Sequence, residues 1–242
     1  MSKLLNDQTV LVVGASSGIG RAVALMAARS GAIVYAAARR QARLDDLQSE
    51  IEAENLRLSV HKADATHLDD MIALVDRVEH ECGRIDIAVY ATGTNSPDRS
   101  MRAMTPATWN DIIETNLNGA FYMSHAVLPV MRKGGAGHII YISSTAGVIA
   151  DLSGAAYQAS KRGMVGLAHA IRLEESSAGI RTCCIMPGLT NTELVEKRPE
   201  KLPSSTLEKA LQPDDVASMI LHVMCLPSRV TIPELLMVPS RA

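Results

Sequence analysis

An apolar run, QTVLVV, stops at Gly14 and gives way at once to GASSGIG, which leads into an alanine-rich stretch, RAVALMAARSG, and then into a second apolar run, AIVYAAA. A short run without polar alternation suits a strand buried on both faces, and the spacing of the alanine-rich stretch predicts a helix closed by Gly31. Strand, glycine-rich turn, helix and second strand together commit the chain to a βαβ unit, which requires parallel strands and a covering helix. Gly14, Gly18 and Gly20 would let the backbone approach a pyrophosphate, whose charge is favoured at the helix N-terminus. Tight strand-to-helix turns also use glycine for steric reasons alone, so the pattern draws its meaning from its place between strand and helix.

The alternation continues along the chain. QARLDDLQSEIEAE reads as an amphipathic helix, LRLSVHKAD as a third strand ending at Asp64, HLDDMIALVDRVEHECG as a helix and IDIAVYATG as a fourth strand ending in Gly93. After an irregular loop, TNSPDRSMRAMTPA, the stretch WNDIIETNLNGAFYMSHAVLPVM predicts one long helix bearing Asn116. HIIYIS then reads as a strand, GMVGLAHAIRLEE as a helix, and the stretch from QPDDVASMILHVM onward as a closing helix and strand. The expectation is an α/β fold whose parallel sheet is covered on both faces. At 242 residues, with no repeat or evident linker, a single domain over 1–242 is expected.

Composition narrows the partners. A formal net charge of −2 argues against nucleic-acid and membrane-surface binding. The N-terminal MSKLLNDQ lacks a signal-peptide apolar core, and no apolar run approaches a membrane span, so a cytoplasmic location is expected. Cys82, Cys183, Cys184 and Cys225 show no metal-type spacing, and no metal site is expected. They are read as reduced thiols, with Cys183 and Cys184 on opposite faces of one strand.

Tyr157 and Lys161 stand four residues apart at the head of a predicted helix, so both side chains project from one face. Bringing a phenol from its usual value to about 7 takes roughly 4 kcal/mol of extra stabilisation of the anion. A cation at about 4 Å in a medium of effective dielectric near 20 supplies an energy of about that size. Ser144, at the end of HIIYIS, could hold a carbonyl oxygen while Tyr157 gives or takes its proton. A tyrosine at a helix start is also a common packing residue, and its neighbouring lysine a common solvated charge.

Two further places bear on a ligand. The second strand ends in Ala38-Arg39-Arg40, where an acidic residue would hydrogen-bond a ribose; two arginines could instead clamp a 2′-phosphate, or merely solvate a helix start. Asp64 could accept from an adenine amino group or cap the next helix. Asn116 is unfavourable inside a helix, since its amide competes for backbone hydrogen bonds, and it could hold a water beside Lys161.

GASSGIG, Asn116 in TNLNGAF, Ser144 in ISSTAG, Tyr157 and Lys161 in YQASK, and Pro187-Gly188 followed by Thr192 together resemble a classical short-chain dehydrogenase/reductase, in order and spacing along nearly the whole chain. The resemblance implies a single-domain Rossmann fold with a seven-stranded, doubly wound parallel sheet, and a catalytic tetrad of Asn116, Ser144, Tyr157 and Lys161. Tyr157 would be the general acid or base, Lys161 would lower its pKa and bind ribose, Ser144 would orient the substrate oxygen, and Asn116 would position a proton-relaying water. It further implies that NADP(H), preferred over NAD(H), is held by Gly14, Ser16, Ser17, Gly18, Ile19 and Gly20 of the turn. Arg39, Arg40, Asp64, Ala65, Ala91, Gly93, Tyr157, Lys161, Pro187, Gly188, Thr190 and Thr192 complete that set. The chain's end is similar to an NADP-dependent branch that includes bacterial 3-hydroxy acid and serine dehydrogenases and clavulanic-acid-type dehydrogenases.

The chain also departs from the family's pattern. Tyr90-Ala91-Thr92-Gly93 replaces the usual Asn-Asn-Ala-Gly after the fourth strand, Val13 stands where threonine is usual, and Ser17 where some relatives carry a basic residue, which leaves 2′-phosphate discrimination mainly to Arg39, with Arg40 and Ser16 assisting. Substrate walls are expected from Thr94 to Pro97, Thr145 to Leu152 and a polar lid over about 189–207, in which Lys197, Arg198 and Lys201 could meet a substrate carboxylate or simply face solvent. The resemblance implies a homodimer or homotetramer. Gly163, Gly166, Ala168 and Ala170 would allow close helix pairing, although core packing explains the same residues. Two functions follow: an NADP(H)-dependent oxidoreductase acting on a small carbonyl compound or secondary alcohol, or a catalytically silent NADP(H)-binding sensor or scaffold. The intact Ser144, Tyr157 and Lys161 favour the enzyme.

Overall fold

The structure, a computed structural model, describes residues 4–240. Seven strands form one parallel sheet in the order β3-β2-β1-β4-β5-β6-β7. In chain order they are β1 (Thr9–Val13), β2 (Ile33–Ala38), β3 (Leu58–Lys62), β4 (Ile87–Tyr90), β5 (Gly137–Ile142), β6 (Ile180–Pro187) and β7 (Glu234–Met237). Every residue of β1, β4 and β5 is buried, whereas edge strand β7 is partly exposed throughout. That gradient is what an interior parallel sheet covered on both faces demands.

The covering helices are α1 (Gly18–Arg29), α2 (Gln41–Glu54), α3 (Leu68–Cys82), α4 (Pro106–Ile113), α5 (Gly119–Gly134), α6 (Ala155–Glu174), α7 (Ser204–Leu207) and α8 (Pro213–Met224). One core layer packs α3, α5 and α6 on the sheet through Met71, Leu74, Met123, Val127, Met164 and Ile171. The other packs α1, α2 and α8 through Val23, Leu47, Ile51, Val216 and Ile220. Cys184 belongs to the first layer and Cys183 to the second, as the strand period requires, and all four cysteines are unpaired. Among the described residues no helix is long and apolar enough to cross a membrane.

Two predicted elements differ in detail. The long helix begins at Pro106, earlier than expected, because Thr105 caps it by accepting from the Thr108 amide at 3.1 Å and Pro106 fits the first helical position. It is also interrupted. Residues Glu114–Asn118 form a π turn between α4 and α5, and Asn116 sits in it, fully buried. The small residues of α6 divide likewise: a Cβ on Gly163 would lie 2.7 Å from Leu117 and Ala168 is in the core, while Gly166 and Ala170 face outward.

The strand order reverses between β1 and β4, whose connections leave toward opposite faces. A crevice opens at such a point beyond the carboxyl ends of the strands.

Candidate active site

A cleft of about 490 Å³ occupies that crevice. Of the residues singled out in the sequence, Gly14, Ser16, Ser17, Gly18, Ile19, Arg39, Arg40, Ala65, Ala91, Gly93, Ser144, Tyr157, Lys161, Pro187, Gly188, Thr190 and Thr192 line it. Gly20, Asp64 and Asn116 do not. Gly14 and Gly20 have an intramolecular reason to be glycine: a Cβ on Gly14 would lie 2.6 Å from the Thr92 nitrogen, and one on Gly20 would lie 2.3 Å from the Gly14 carbonyl oxygen. The tight turn brings the start of α1 against the end of β4. Ser17 gives that start no side-chain cap, so its first N–H groups meet the cleft without a protein side chain to satisfy them.

At the opposite end β5 delivers Ser144 and α6 delivers Tyr157 and Lys161. Ser144 Oγ accepts from the Ala146 amide at 3.2 Å, which fixes it as the cap of a short turn over Thr145–Gly147. Lys161 is 3% exposed, its Nζ donates to the Ile142 carbonyl at 2.9 Å, and it lies 5.7 Å from the centre of the Tyr157 ring. Ser143 Oγ donates to the Lys161 carbonyl at 3.0 Å, which locks β5 to the first turns of α6.

The electrostatics correct one expectation. Burial pushes the Tyr157 phenol above its ordinary value, while its hydrogen bond with Ser144 and the charges of Arg99 and Arg198 pull it down. Burial also pushes Lys161 down to about 8. The lysine spends a proton on Ile142 and lies over the ring, so the protein alone does not bring the phenol toward neutrality.

Asn116 is likewise placed differently from its expected use. Its Oδ1 accepts from the Thr94 amide at 2.7 Å, and its Nδ2 donates to the Thr94 carbonyl and to Ser160 Oγ, each at 3.0 Å. Both amide protons are spent within the protein. The side chain clamps the loop after β4 to the π turn and to α6, and one lone pair of Oδ1 is left for any water. Asp64 is also committed elsewhere: it accepts from the Thr66 amide and hydroxyl at 3.0 and 2.8 Å, and pairs with Arg39 at 3.6 Å. It closes a turn before α3 and does not cap that helix.

A sequence model of the short chain dehydrogenase family matches residues 8–203. The chain belongs to this family. It is 31% identical to an uncharacterised oxidoreductase of Staphylococcus saprophyticus, over 98% of this chain and 97% of the relative. It is 32% identical to a 3-oxoacyl-[acyl-carrier-protein] reductase of Thermotoga maritima, over 90% of this chain and 91% of that one. Among solved structures, the closed form of a serine dehydrogenase complexed with NADP+ superposes with a TM-score of 0.87 at 31% identity, covering 96% and 95% of the two chains.

This short-chain dehydrogenase carries one site residue, Arg99, and several site contacts that sequence reasoning missed. Tyr90, where the family has asparagine, is fully buried and donates its hydroxyl to the Thr115 carbonyl in the π turn. Gly119 leaves the space, since a Cβ there would lie 2.2 Å from that hydroxyl. Arg99 is half-buried in the cleft wall; its Nε donates to the Ser96 carbonyl at 3.0 Å and its guanidinium to the Lys197 carbonyl. Lys197 Nζ donates to Thr94 Oγ1 at 2.6 Å. These contacts join the loop after β4 to a short turn over Glu193–Lys197, which covers the cleft. Of the expected walls, Thr94, Asn95, Thr145, Asp151 and 189–198 in part line the cleft, while Ser96, Pro97 and Lys201 lie outside it.

The residues fit a dinucleotide. The α1 amides are free of side-chain caps, the glycine turn approaches β4 closely, and Arg39 and Arg40 stand at one end of the cleft with Tyr157 and Lys161 at the other.

Proposed function

We propose that this short-chain dehydrogenase is an NADP(H)-dependent oxidoreductase that moves a hydride between nicotinamide and a small carbonyl compound or secondary alcohol, with Tyr157 as the general acid or base. The observation that carries this reading is the convergence of Ser144, Tyr157 and Lys161 on one end of a cleft whose other end holds the glycine turn, Arg39 and Arg40. Bound NADP(H) would supply the hydride and, in its oxidised form, a positively charged ring.

Within the protein, Ser144 orients the substrate oxygen and Tyr157 exchanges a proton with it. A phenol held above its ordinary value is protonated at neutral pH and ready to donate, which suits reduction of a carbonyl. Lys161, anchored on Ile142, has donors left for a ribose and holds positive charge beside the phenol. Asn116 acts through others: by clamping Thr94 and Ser160 it keeps the loop after β4 and the start of α6 in register. Arg39 and Arg40, in place of an acidic ribose partner, support NADP(H) over NAD(H). At the reacting end Arg99, Lys197 and Arg198, opposed by Asp151, leave an excess of positive charge, which favours a substrate bearing a carboxylate. Burying the Lys161 ammonium is costly, and a catalytically silent protein gains nothing from setting it beside the Tyr157 phenol and Ser144. A homodimer or homotetramer in the cytoplasm remains the expected setting.

Fluorescence titration with NADPH and NADH, followed by a turnover screen of small ketones, 3-keto acids and aldehydes, tests the proposal. Tight NADPH binding with turnover on any member supports it. Binding of neither cofactor overturns it.

A further inference from the structure

Arg40 is shared. Its Nε and one terminal nitrogen donate to Ser16 Oγ at 3.2 and 3.1 Å, and the same terminal nitrogen donates to Ser17 Oγ at 2.6 Å. Its other terminal nitrogen donates to Glu193 Oε2 at 2.7 Å. Four of its five N–H bonds are thereby used. Arg43, one turn into α2, donates to the second oxygen of the same carboxylate at 3.2 Å. Glu193 lies 153 residues from Arg40 in the chain, at the head of the turn that covers the cleft. One protein carboxylate thus sits between the two guanidinium groups at the end of the cleft where a ribose phosphate would be bound.

We infer that Glu193 is an internal stand-in for the 2′-phosphate: it pairs with Arg40 and, from outside the cleft, with Arg43, and it weakens binding of a phosphorylated ribose by competing for Arg40. The inference rests on the NADP(H) reading above. A phosphate needs a two-pronged edge of a guanidinium to be held in both charge and geometry. Arg40 has no free edge, because its serine-facing edge is spent on Ser16 and Ser17 and its remaining edge on Glu193. Ser16 and Ser17 are hydroxyls that can turn and donate to an incoming phosphate. Glu193 cannot: Arg40 holds its carboxyl below the usual range, so it stays anionic and repels the phosphate. Arg39, paired among the described residues only with Asp64 at 3.6 Å, can meet the phosphate with Glu193 in place, but recruiting Arg40 as well takes it away from Glu193.

The consequence reaches the other end of the cleft. The turn that begins at Glu193 ends at Lys197, whose ammonium and carbonyl are tied to Thr94 and Arg99. Release of Glu193 frees the head of this turn while its tail stays fixed near Tyr157. Glu193 is in this sense a specificity-determining residue. It lowers the protein's preference for phosphorylated over unphosphorylated ribose and links that choice to the segment over the substrate.

The test uses the purified protein and two probes that carry no nicotinamide, 2′,5′-ADP and 5′-ADP, titrated by calorimetry into the wild type and Glu193→Gln. The substitution keeps size and removes charge. We expect Glu193→Gln to bind 2′,5′-ADP at least fivefold more tightly, with 5′-ADP changed less than twofold. Unchanged or weaker 2′,5′-ADP binding overturns the inference, since it would make Glu193 a buttress that orients Arg40 or a bystander. Equal binding of both probes by the wild type and by Glu193→Gln alike would instead remove the 2′-phosphate reading itself, and the inference with it. Arg40→Ala, combined with Glu193→Gln, is expected to abolish the gain; persistence of the gain would also overturn the role given to Arg40.

Discussion

The Tyr90 hydroxyl donates to the carbonyl of Thr115, one residue before Asn116, and so ties the end of β4 to the π turn. A π turn displaces carbonyls from the regular helical ladder and recurs at functional sites. Here a buried phenol satisfies one of them, and the same turn aims Asn116 at Thr94 and Ser160.

Tyr90→Phe leaves the Thr115 carbonyl buried without that donor. A loss of about 1–3 kcal/mol in stability is expected, read by urea unfolding. If the π turn positions Asn116, kcat falls while KM for the carbonyl substrate changes little. A variant with wild-type stability and wild-type kcat would deny Tyr90 this role.

The role proposed for Lys161 sets function against stability. Its pKa is about 8 in the folded protein and near its ordinary value of 10.5 in the unfolded chain, so between those values the unfolded state binds more protons. The buried ammonium therefore costs stability, fully below about pH 8, and the cost fades as pH rises toward 10.5. Lys161→Met is expected to stabilise the protein at pH 7 by about 2–3 kcal/mol and to abolish turnover. The gain should shrink as melting is followed from pH 8 to pH 10. A destabilised Lys161→Met would show that the bond to Ile142 outweighs the burial cost.

His138, in β5 between β4 and β6, is 1% exposed, neither ring nitrogen has a hydrogen-bond partner, and burial pushes its pKa down to about 3. The unfolded chain binds a proton there below its ordinary value of 6.5, which the folded protein refuses until about pH 3. Stability contributed by the neutral ring is thus present above pH 6.5 and lost as pH falls. Between pH 6 and 4.5 the wild type should lose about 1.4 kcal/mol per pH unit more than His138→Phe. Parallel slopes in chemical denaturation would contradict this.

Much of the fold was legible because strands and helices declare their periods locally: QTVLVV and HIIYIS suit buried strands and the glycine turn joins the first to its helix, while the seven-strand count came from the family resemblance. The pair Tyr157 and Lys161 was legible for the same reason, since a helix alone sets their shared face. The rest depends on long-range placement, which local spacing does not encode. Asn116 was visible as an oddity, but the π turn that explains it and the destination of its amide lie in Thr94 and Ser160, 22 and 44 residues away. Arg99 lies in an irregular loop, and its contact with the turn at 193–197 joins residues 98 positions apart. Tyr90 read as a departure from a pattern, and its hydroxyl's partner is 25 residues away. The balance at Tyr157 also lies beyond sequence spacing, since burial raises its pKa against the lowering by Ser144, Arg99 and Arg198.

The role proposed for Tyr157 is to move the proton within an otherwise intact cofactor site. The most direct measurement is single-turnover oxidation of NADPH by Tyr157→Phe on a carbonyl substrate that the wild type reduces, alongside NADPH titration of both proteins. The account predicts a rate lowered by at least about a thousandfold, with NADPH affinity within about threefold of wild type. Retention of more than a tenth of the rate, with affinity unchanged, would contradict it.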